Sequence, residues 1–324
     1  MAALRDGFGR VLDYLRLSVT DRCNLRCVYC LPAAGAAFAP AADALSPAEI
    51  ERLVRVGRGL GIDKVRLTGG EPLVRPDIHE IVDRLSRLDL ADLSLSTNGV
   101  LLAPRAARLK AAGLRRVNVS LDTLDAGRFR RMTRFGELSA AREGIAAALD
   151  AGLGPVKINV VVAKGLNEDE IPGFVELARR RALHVRFIEL MPIGETGFFG
   201  PERWLPLPEI VAACGALTPC AGPRGFGPAR YYRPAGGGEG TVGFIGALSC
   251  DFCGACNRLR LTSAGRLVPC LAAEQGVDVR TPLREGRSDA ALESLWRRAA
   301  AEKPARHRMT ESVPRERFMR SLGG

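Results

Sequence analysis

Lysine and histidine are scarce in this chain. Five lysines stand beside 42 arginines, and the histidines number three, His79, His184 and His307. So few imidazoles leave mixed Cys/His zinc sites poorly supplied. No apolar run approaches the ~20 residues needed to span a bilayer, and the opening MAALRDGFGRVLDYLR lacks the apolar stretch of a signal peptide. The expected setting is the reducing cytoplasm, where nine cysteines serve as ligands or free thiols rather than as disulfides.

A net charge of +11 admits nucleic acid, a membrane surface or an anionic substrate. The arginines are scattered, however, and their longest run, Arg179–Arg181, falls inside a helix-like segment. Such an excess reads as compositional bias, and neither nucleic acid nor membrane is expected as a partner.

At 324 residues and 47% apolar content the chain suits one large domain or two. Up to about residue 192, short β-branched runs (DYLRLSV, KVRLTG, DLSLSTN, RRVNVSLD, VKINVVV, HVRFIEL) alternate with helix-like segments such as Pro47–Leu60, Arg105–Ala112 and Glu168–Arg181. Ser46 before Pro47, with Glu49 three residues on, reads as a capping box. Six βα units in series predict an α/β fold with a parallel sheet, either doubly wound or curled into a barrel. Recurrent prolines from Pro192 to Pro234 mark the passage to a smaller region, so the expected domains are 1–192 and 193–324.

Side chains alternate faces along a strand. One parity is apolar, as in Leu15, Leu17, Val65, Leu67, Val117, Val119, Ile158 and Val160. The other is polar: Arg16 and Ser18; Arg66 and Thr68; Ser94, Ser96 and Asn98; Asn118, Ser120 and Asp122; Lys157 and Asn159. Parallel strands buried on both faces read as continuous apolar runs, and ordinary barrels fill their interior with branched apolar side chains. Five of the six strands break that rule in the same way, so the interior is expected to be wet and ligand-filled. Lys157, flanked by apolar residues, is placed to meet an anion. A plainly solvent-exposed sheet face is the bland alternative.

Directly after the first strand, DRCNLRCVYCLP spaces Cys23, Cys27 and Cys30 as C-x3-C-x2-C. Disulfides need pairs and a closed zinc site needs four ligands, whereas three thiolates hold three irons of a cube and leave the fourth open. After the second strand comes TGGEP, Thr68–Pro72, whose two glycines allow a ligand close to the backbone. Cys253, Cys256 and Cys270 form a second group, C-x2-C-x13-C, and Asn-Arg-Leu-Arg follows Cys256 immediately.

The cysteine motif with TGGEP resembles the radical S-adenosylmethionine (SAM) enzymes, a resemblance that implies a partial six-stranded (β/α) barrel followed by a smaller C-terminal region. LRLSVTDRCNLRCVYC, TGGEP, LRRVNVSLD, RFIELMP, FCGACNRLRL and a terminal Gly-Gly, in that order, resemble the GTP 3′,8-cyclase family of molybdenum cofactor biosynthesis over nearly the whole chain. The resemblance implies a 4Fe–4S cluster on Cys23, Cys27 and Cys30, with Tyr29, Gly70, Ser120 and Met191 lining the SAM site. It implies a second 4Fe–4S cluster on Cys253, Cys256 and Cys270, whose open iron binds guanine. Arg16, Arg66, Ser96, Lys157 and the segment Arg258, Leu259 and Arg260 would contact GTP, and Arg258, Arg260, Gly323 and Gly324 would act in catalysis. SAM would be cleaved to 5′-deoxyadenosine and methionine, and GTP converted to (8S)-3′,8-cyclo-7,8-dihydroguanosine 5′-triphosphate. Implied partners are GTP, an electron donor for cluster reduction and the downstream cyclic pyranopterin monophosphate synthase, with a homodimer left open. A peptide-modifying radical SAM enzyme with an auxiliary cluster is the alternative enzyme, and an electron carrier or zinc-stabilised nucleic-acid module the non-enzymatic one. Cys250 is expected to be a bystander, and Cys214 and Cys220 ordinary buried thiols.

Overall fold

Six βα units in series build the N-terminal region: β1 (Tyr14–Ser18), α1 (Pro47–Gly59), β2 (Lys64–Thr68), α2 (Ile78–Ser86), β3 (Asp92–Thr97), α3 (Ala106–Ala111), β4 (Arg116–Ser120), α4 (Ala126–Thr133), α5 (Leu138–Asp150), β5 (Lys157–Val162), α6 (Ile171–Arg180) and β6 (His184–Glu189). After it come α7 (Leu207–Ala213), β7 (Leu217–Pro219), β8 (Arg230–Pro234), β9 (Thr241–Ile245), β10 (Arg258–Leu261), β11 (Arg266–Val268), β12 (Val277–Asp278), α8 (Arg280–Arg284) and α9 (Asp289–Ala301). This computed structural model describes residues 3–32, 38–193, 196–223, 225–250, 252–273, 275–309 and 322. Gly323 and Gly324 lie outside the described residues.

The capping box forms as its sequence dictates. Glu49 N donates to the Ser46 hydroxyl at 3.2 Å, and Ser46 N donates to Glu49 Oε2 at 2.7 Å. Two amides that the helix cannot satisfy internally are thereby paired.

Strands β1 to β6 are parallel and adjacent in sequence order. Leu15, Leu17, Val65, Leu67, Leu95, Val117, Val119, Ile158, Val160, Val185 and Phe187 join residues of the surrounding helices in one apolar core. The other parity falls into register across the strands. Arg16 stands opposite Arg66, Arg66 opposite Ser94, and Ser94 opposite Arg116. Further along, Asn118 stands opposite Lys157, and Ser120 opposite Asn159, which in turn faces Arg186.

The C-terminal region extends this sheet rather than building another. β10 pairs in parallel with β1, and β9 in parallel with β6, giving twelve strands in the order β12-β11-β10-β1-β2-β3-β4-β5-β6-β9-β8-β7. Residues of β1, β2, β5, β6, β9 and β10 line one cavity, so the sheet curls around it. Among the described residues no pairing joins β12 to β7, and no helix is long and apolar enough to cross a membrane.

Candidate active site

Cys23, Cys27 and Cys30 line a cavity together with Tyr29, Gly70, Ser120 and Met191, the four residues expected at the SAM site. The loop carrying them is held from two sides. Gly70 N donates to Thr20 O and Glu71 N to Arg22 O, each at 2.8 Å. A Cβ on Gly69 would stand 2.3 Å from Thr20 O, and one on Gly70 2.3 Å from Arg22 O. The two glycines thus admit the cysteine loop's own backbone, a different reason from the ligand approach expected from sequence. On the other side, Arg26 N donates to Thr133 O and Val28 N to Met132 O, at the end of α4, while Arg134 Nη1 donates to Arg26 O and Leu31 O.

Glu71 of the GGE turn is buried and accepts from Leu73 N, Thr97 Oγ1 and Asn98 N at 2.7–2.9 Å. Burial pushes its carboxyl up to about 7 despite these bonds. With its acceptors occupied, Glu71 braces the turn against the end of β3. Tyr29 is fixed by donating to Asp122 Oδ2 at 2.5 Å, and Val161 N holds the other Asp122 oxygen at 2.8 Å.

Burial pushes the Cys23 thiol up to about 11, and burial with neighbouring Cys30, Asp122 and Cys23 holds Cys27 well above the ordinary thiol range. Metal binding would therefore displace protons here, as thiolate ligation requires. Around the second group the balance reverses. Burial pushes Cys256 up, but Arg258 and Lys303 pull it down to about 6. Lys303, itself buried, donates to Arg258 O and Pro269 O at 2.8 Å each, tying the segment after Cys256 to the residue before Cys270. Arg10 Nη1 donates to Cys253 O at 2.6 Å. All three cysteines line one cavity with Arg16, Arg66, Arg258 and Arg260.

Among the described residues no three His, Cys, Asp or Glu side chains converge as a single-ion site. Three thiols around each cavity, none of them in a disulfide, fit a cluster whose irons occupy separate corners. Cys250 is exposed and lines a different, apolar cavity beside α7. Cys214 is buried as expected, whereas Cys220 is half-buried.

Cations dominate the second cavity. Burial, then the charges of Arg260 and Arg66, hold Arg16 well below the ordinary guanidinium value. Burial brings Arg66 and Arg260 down to about 10, and it lowers Arg186 too. A fold does not gather buried like charges for stability, since each loses hydration and repels the next. A polyanion would satisfy them bidentately.

The residues expected to meet GTP are not all alike in placement. Lys157 is 2% exposed and does not line the cavity; a Cβ on Gly225 would stand 2.2 Å from its Nζ, so that loop's backbone covers it. Burial, then Arg186, Arg116 and Arg66, bring Lys157 down to about 6. Ser96 lines the cavity of the first triad. Leu259 packs in the apolar core, so only its backbone is on offer. Asn159, Ile188 and Met191 line both cavities and mark where they adjoin.

Comparison with known proteins agrees with this geometry. The model of the Radical SAM superfamily matches residues 17–178, and that of Molybdenum Cofactor Synthesis C residues 183–309. The GTP 3′,8-cyclase of Pelotomaculum thermopropionicum is 49% identical over 99% of this chain and 100% of its own length. That of Heliobacterium modesticaldum is 48% identical over 98% and 99%. The chain belongs to the GTP 3′,8-cyclase family. Among solved structures, Streptococcus suis SuiB bound to S-adenosylmethionine superposes with a TM-score of 0.54 at 16% identity, covering 81% of this chain and 60% of SuiB. The chain thus spans less than two thirds of SuiB, and at that identity the likeness shows the radical SAM fold alone.

Two arginines on the polar face escaped the sequence reading. Arg186 lines the cavity with the other cations, and Arg116 backs it through a buried ion pair with Asp92 at 2.5 Å. Both share the parity of the polar face, so strict alternation carried through HVRFIEL and RRVNVSLD would have found them. Lys303 carries no local signal, because its partners are distant in sequence.

Proposed function

We propose that this chain is a radical SAM lyase that converts GTP to (8S)-3′,8-cyclo-7,8-dihydroguanosine 5′-triphosphate in an early step of molybdenum cofactor biosynthesis. One observation carries the reading. A cavity lined by three cysteines and at least four arginines adjoins, at Asn159, Ile188 and Met191, a second cavity lined by the C-x3-C-x2-C cysteines. A polyanionic nucleotide and the SAM site would therefore meet at one seam.

In this reading Cys23, Cys27 and Cys30 hold the first 4Fe–4S cluster and Cys253, Cys256 and Cys270 the second. The first cluster, held by those thiolates and given an electron by an external donor, would supply with SAM the one-electron chemistry that precedes hydrogen abstraction from the ribose. The protein's part is positioning. Tyr29, braced by Asp122, presents a fixed ring beside the last cysteine. Arg16, Arg66, Arg258 and Arg260 bind the triphosphate, Lys157 adds charge from beneath, and Ser96, Ser120 and Gly70 shape the SAM side. The buried walls exclude water and oxygen from the reacting centre. Gly323 and Gly324 are expected to act in catalysis.

The expected setting is the cytoplasm. Region 1–192 would supply the radical SAM unit and region 193–324 the second cluster. An electron donor, the downstream cyclic pyranopterin monophosphate synthase and a second copy of the chain are its expected partners. The deciding experiment is anaerobic incubation of the reconstituted enzyme with SAM, reductant and each of the four nucleoside triphosphates. GTP-selective consumption is required, and equal turnover of all four sinks the reading.

A further inference from the structure

Tyr14 opens β1 with its side chain on the cavity side of the sheet. It is 1% exposed, and it lines the cavity beside Arg16, Arg66, Arg186, Arg258 and Arg260. Its backbone stands opposite Arg258 on one side and Lys64 on the other. The Arg66 guanidinium lies over its ring, 5.5 Å from the centroid. Its hydroxyl has no hydrogen-bond partner among the described residues.

That combination is unusual for a tyrosine. A buried phenol normally finds a partner for its O–H. Five arginines and Lys303 share the cavity with it, and their groups carry donors only and cannot accept the phenolic proton. The group that suits the pocket must bring acceptor oxygens, and the surrounding charge requires it to be anionic. A neutral hydroxyl also offers a donor to such a group without adding to the repulsion among the arginines.

We propose that the Tyr14 hydroxyl donates to a phosphate oxygen of the bound nucleoside triphosphate, while its ring seats Arg66 for the same phosphate chain. This makes Tyr14 a substrate-binding residue that discriminates nucleotide from nucleoside. The assignment rests on the nucleotide reading of the cavity given above.

Tyr14→Phe keeps the ring under Arg66 and removes only the hydroxyl, so it isolates the proposed bond. Affinity for GTP and for guanosine is measured by calorimetry on the anaerobically reconstituted protein, for both wild type and variant. Iron content and the cluster absorption spectrum check that the variant has folded and loaded. Loss of a hydrogen bond to a charged group should weaken GTP roughly 10-fold or more, with guanosine affinity unchanged. Equal GTP affinity in the two proteins overturns the assignment, as does an equal loss for guanosine, which would put the hydroxyl on the base or sugar. If the wild type itself binds GTP no better than guanosine, the nucleotide reading of the cavity fails instead. Tyr14→Leu, which removes ring and hydroxyl together, should weaken GTP further than Tyr14→Phe if the ring seats Arg66.

Discussion

The guanidinium of Arg260 donates at 2.8 Å to the backbone carbonyl of Leu322, and both residues are buried. Chain ends ordinarily fray, yet this contact anchors the residue just before Gly323 and Gly324 inside the arginine-lined wall. Deleting Gly323 and Gly324 should therefore leave both clusters and thermal stability intact while strongly reducing cyclised product. Product and 5′-deoxyadenosine measured together decide it, and wild-type amounts of product would return the tail to an incidental role.

The two cysteine triads should fail differently. Cys27→Ala should abolish SAM cleavage, because the first cluster loses its third thiolate. Cys270→Ala should keep some uncoupled SAM cleavage while GTP conversion is lost. Identical phenotypes, read as 5′-deoxyadenosine per cluster, would mean that the division of labour between the triads is wrong.

Lys157, brought down to about 6 by burial and by Arg186, Arg116 and Arg66, is mostly neutral at pH 7.5 in the free protein. Asp92 is the acid that pulls the other way, and His184, itself brought down to about 4, is neutral there. A bound triphosphate favours the ammonium form and raises the lysine's proton affinity. GTP binding should then take up a proton above pH 6, and affinity should fall as pH rises through that window. The same depression makes the free fold gain stability as pH climbs from about 6 toward the ordinary lysine value, because the unfolded chain binds the extra proton. Calorimetry in buffers of different ionisation enthalpy measures the uptake, which Lys157→Met should remove.

Arg258→Ala should weaken GTP binding by ~1.5–3 kcal/mol, the range for a hydrogen bond to a charged group. SAM affinity should be nearly unchanged, since Arg258 lines only the second of the two cavities. A matching loss for SAM would show that the cavities do not act separately.

Gly70→Ala tests the loop itself. The added methyl would sit 2.3 Å from Arg22 O, so the cysteine loop must shift. Iron bound at the first triad should drop sharply while far-ultraviolet dichroism stays close to wild type. Full cluster loading in this variant would falsify the backbone-approach account of the GGE turn.

The strands of the first region were legible because alternation along each strand is a local property. Arg16, Arg66, Asn118 and Lys157 could be put on one face before any partner strand was known. What alternation cannot supply is depth. Lys157 shares the parity of Arg66, yet the backbone at Gly225 covers it while Arg66 lines the cavity. Nor can a local pattern announce that β10 lies beside β1, so the row Arg260, Arg16, Arg66 appears only with the sheet. The glycines of TGGEP were recognisable as a close approach, but which group approaches depends on where Thr20 and Arg22 run.

The placement of β10 against β1 also bears on how the protein is made. β2 can pair with β1 soon after both leave the ribosome, whereas β10 is translated from the far end of the chain. At ~5–20 residues per second, roughly 10–50 s pass with the outer edge of β1 open. Unpaired edges invite foreign strands, so nascent chains are most exposed to aggregation in that interval. The wall bearing Arg258 and Arg260 is thus added to the cavity only after the strands of the first region have been made.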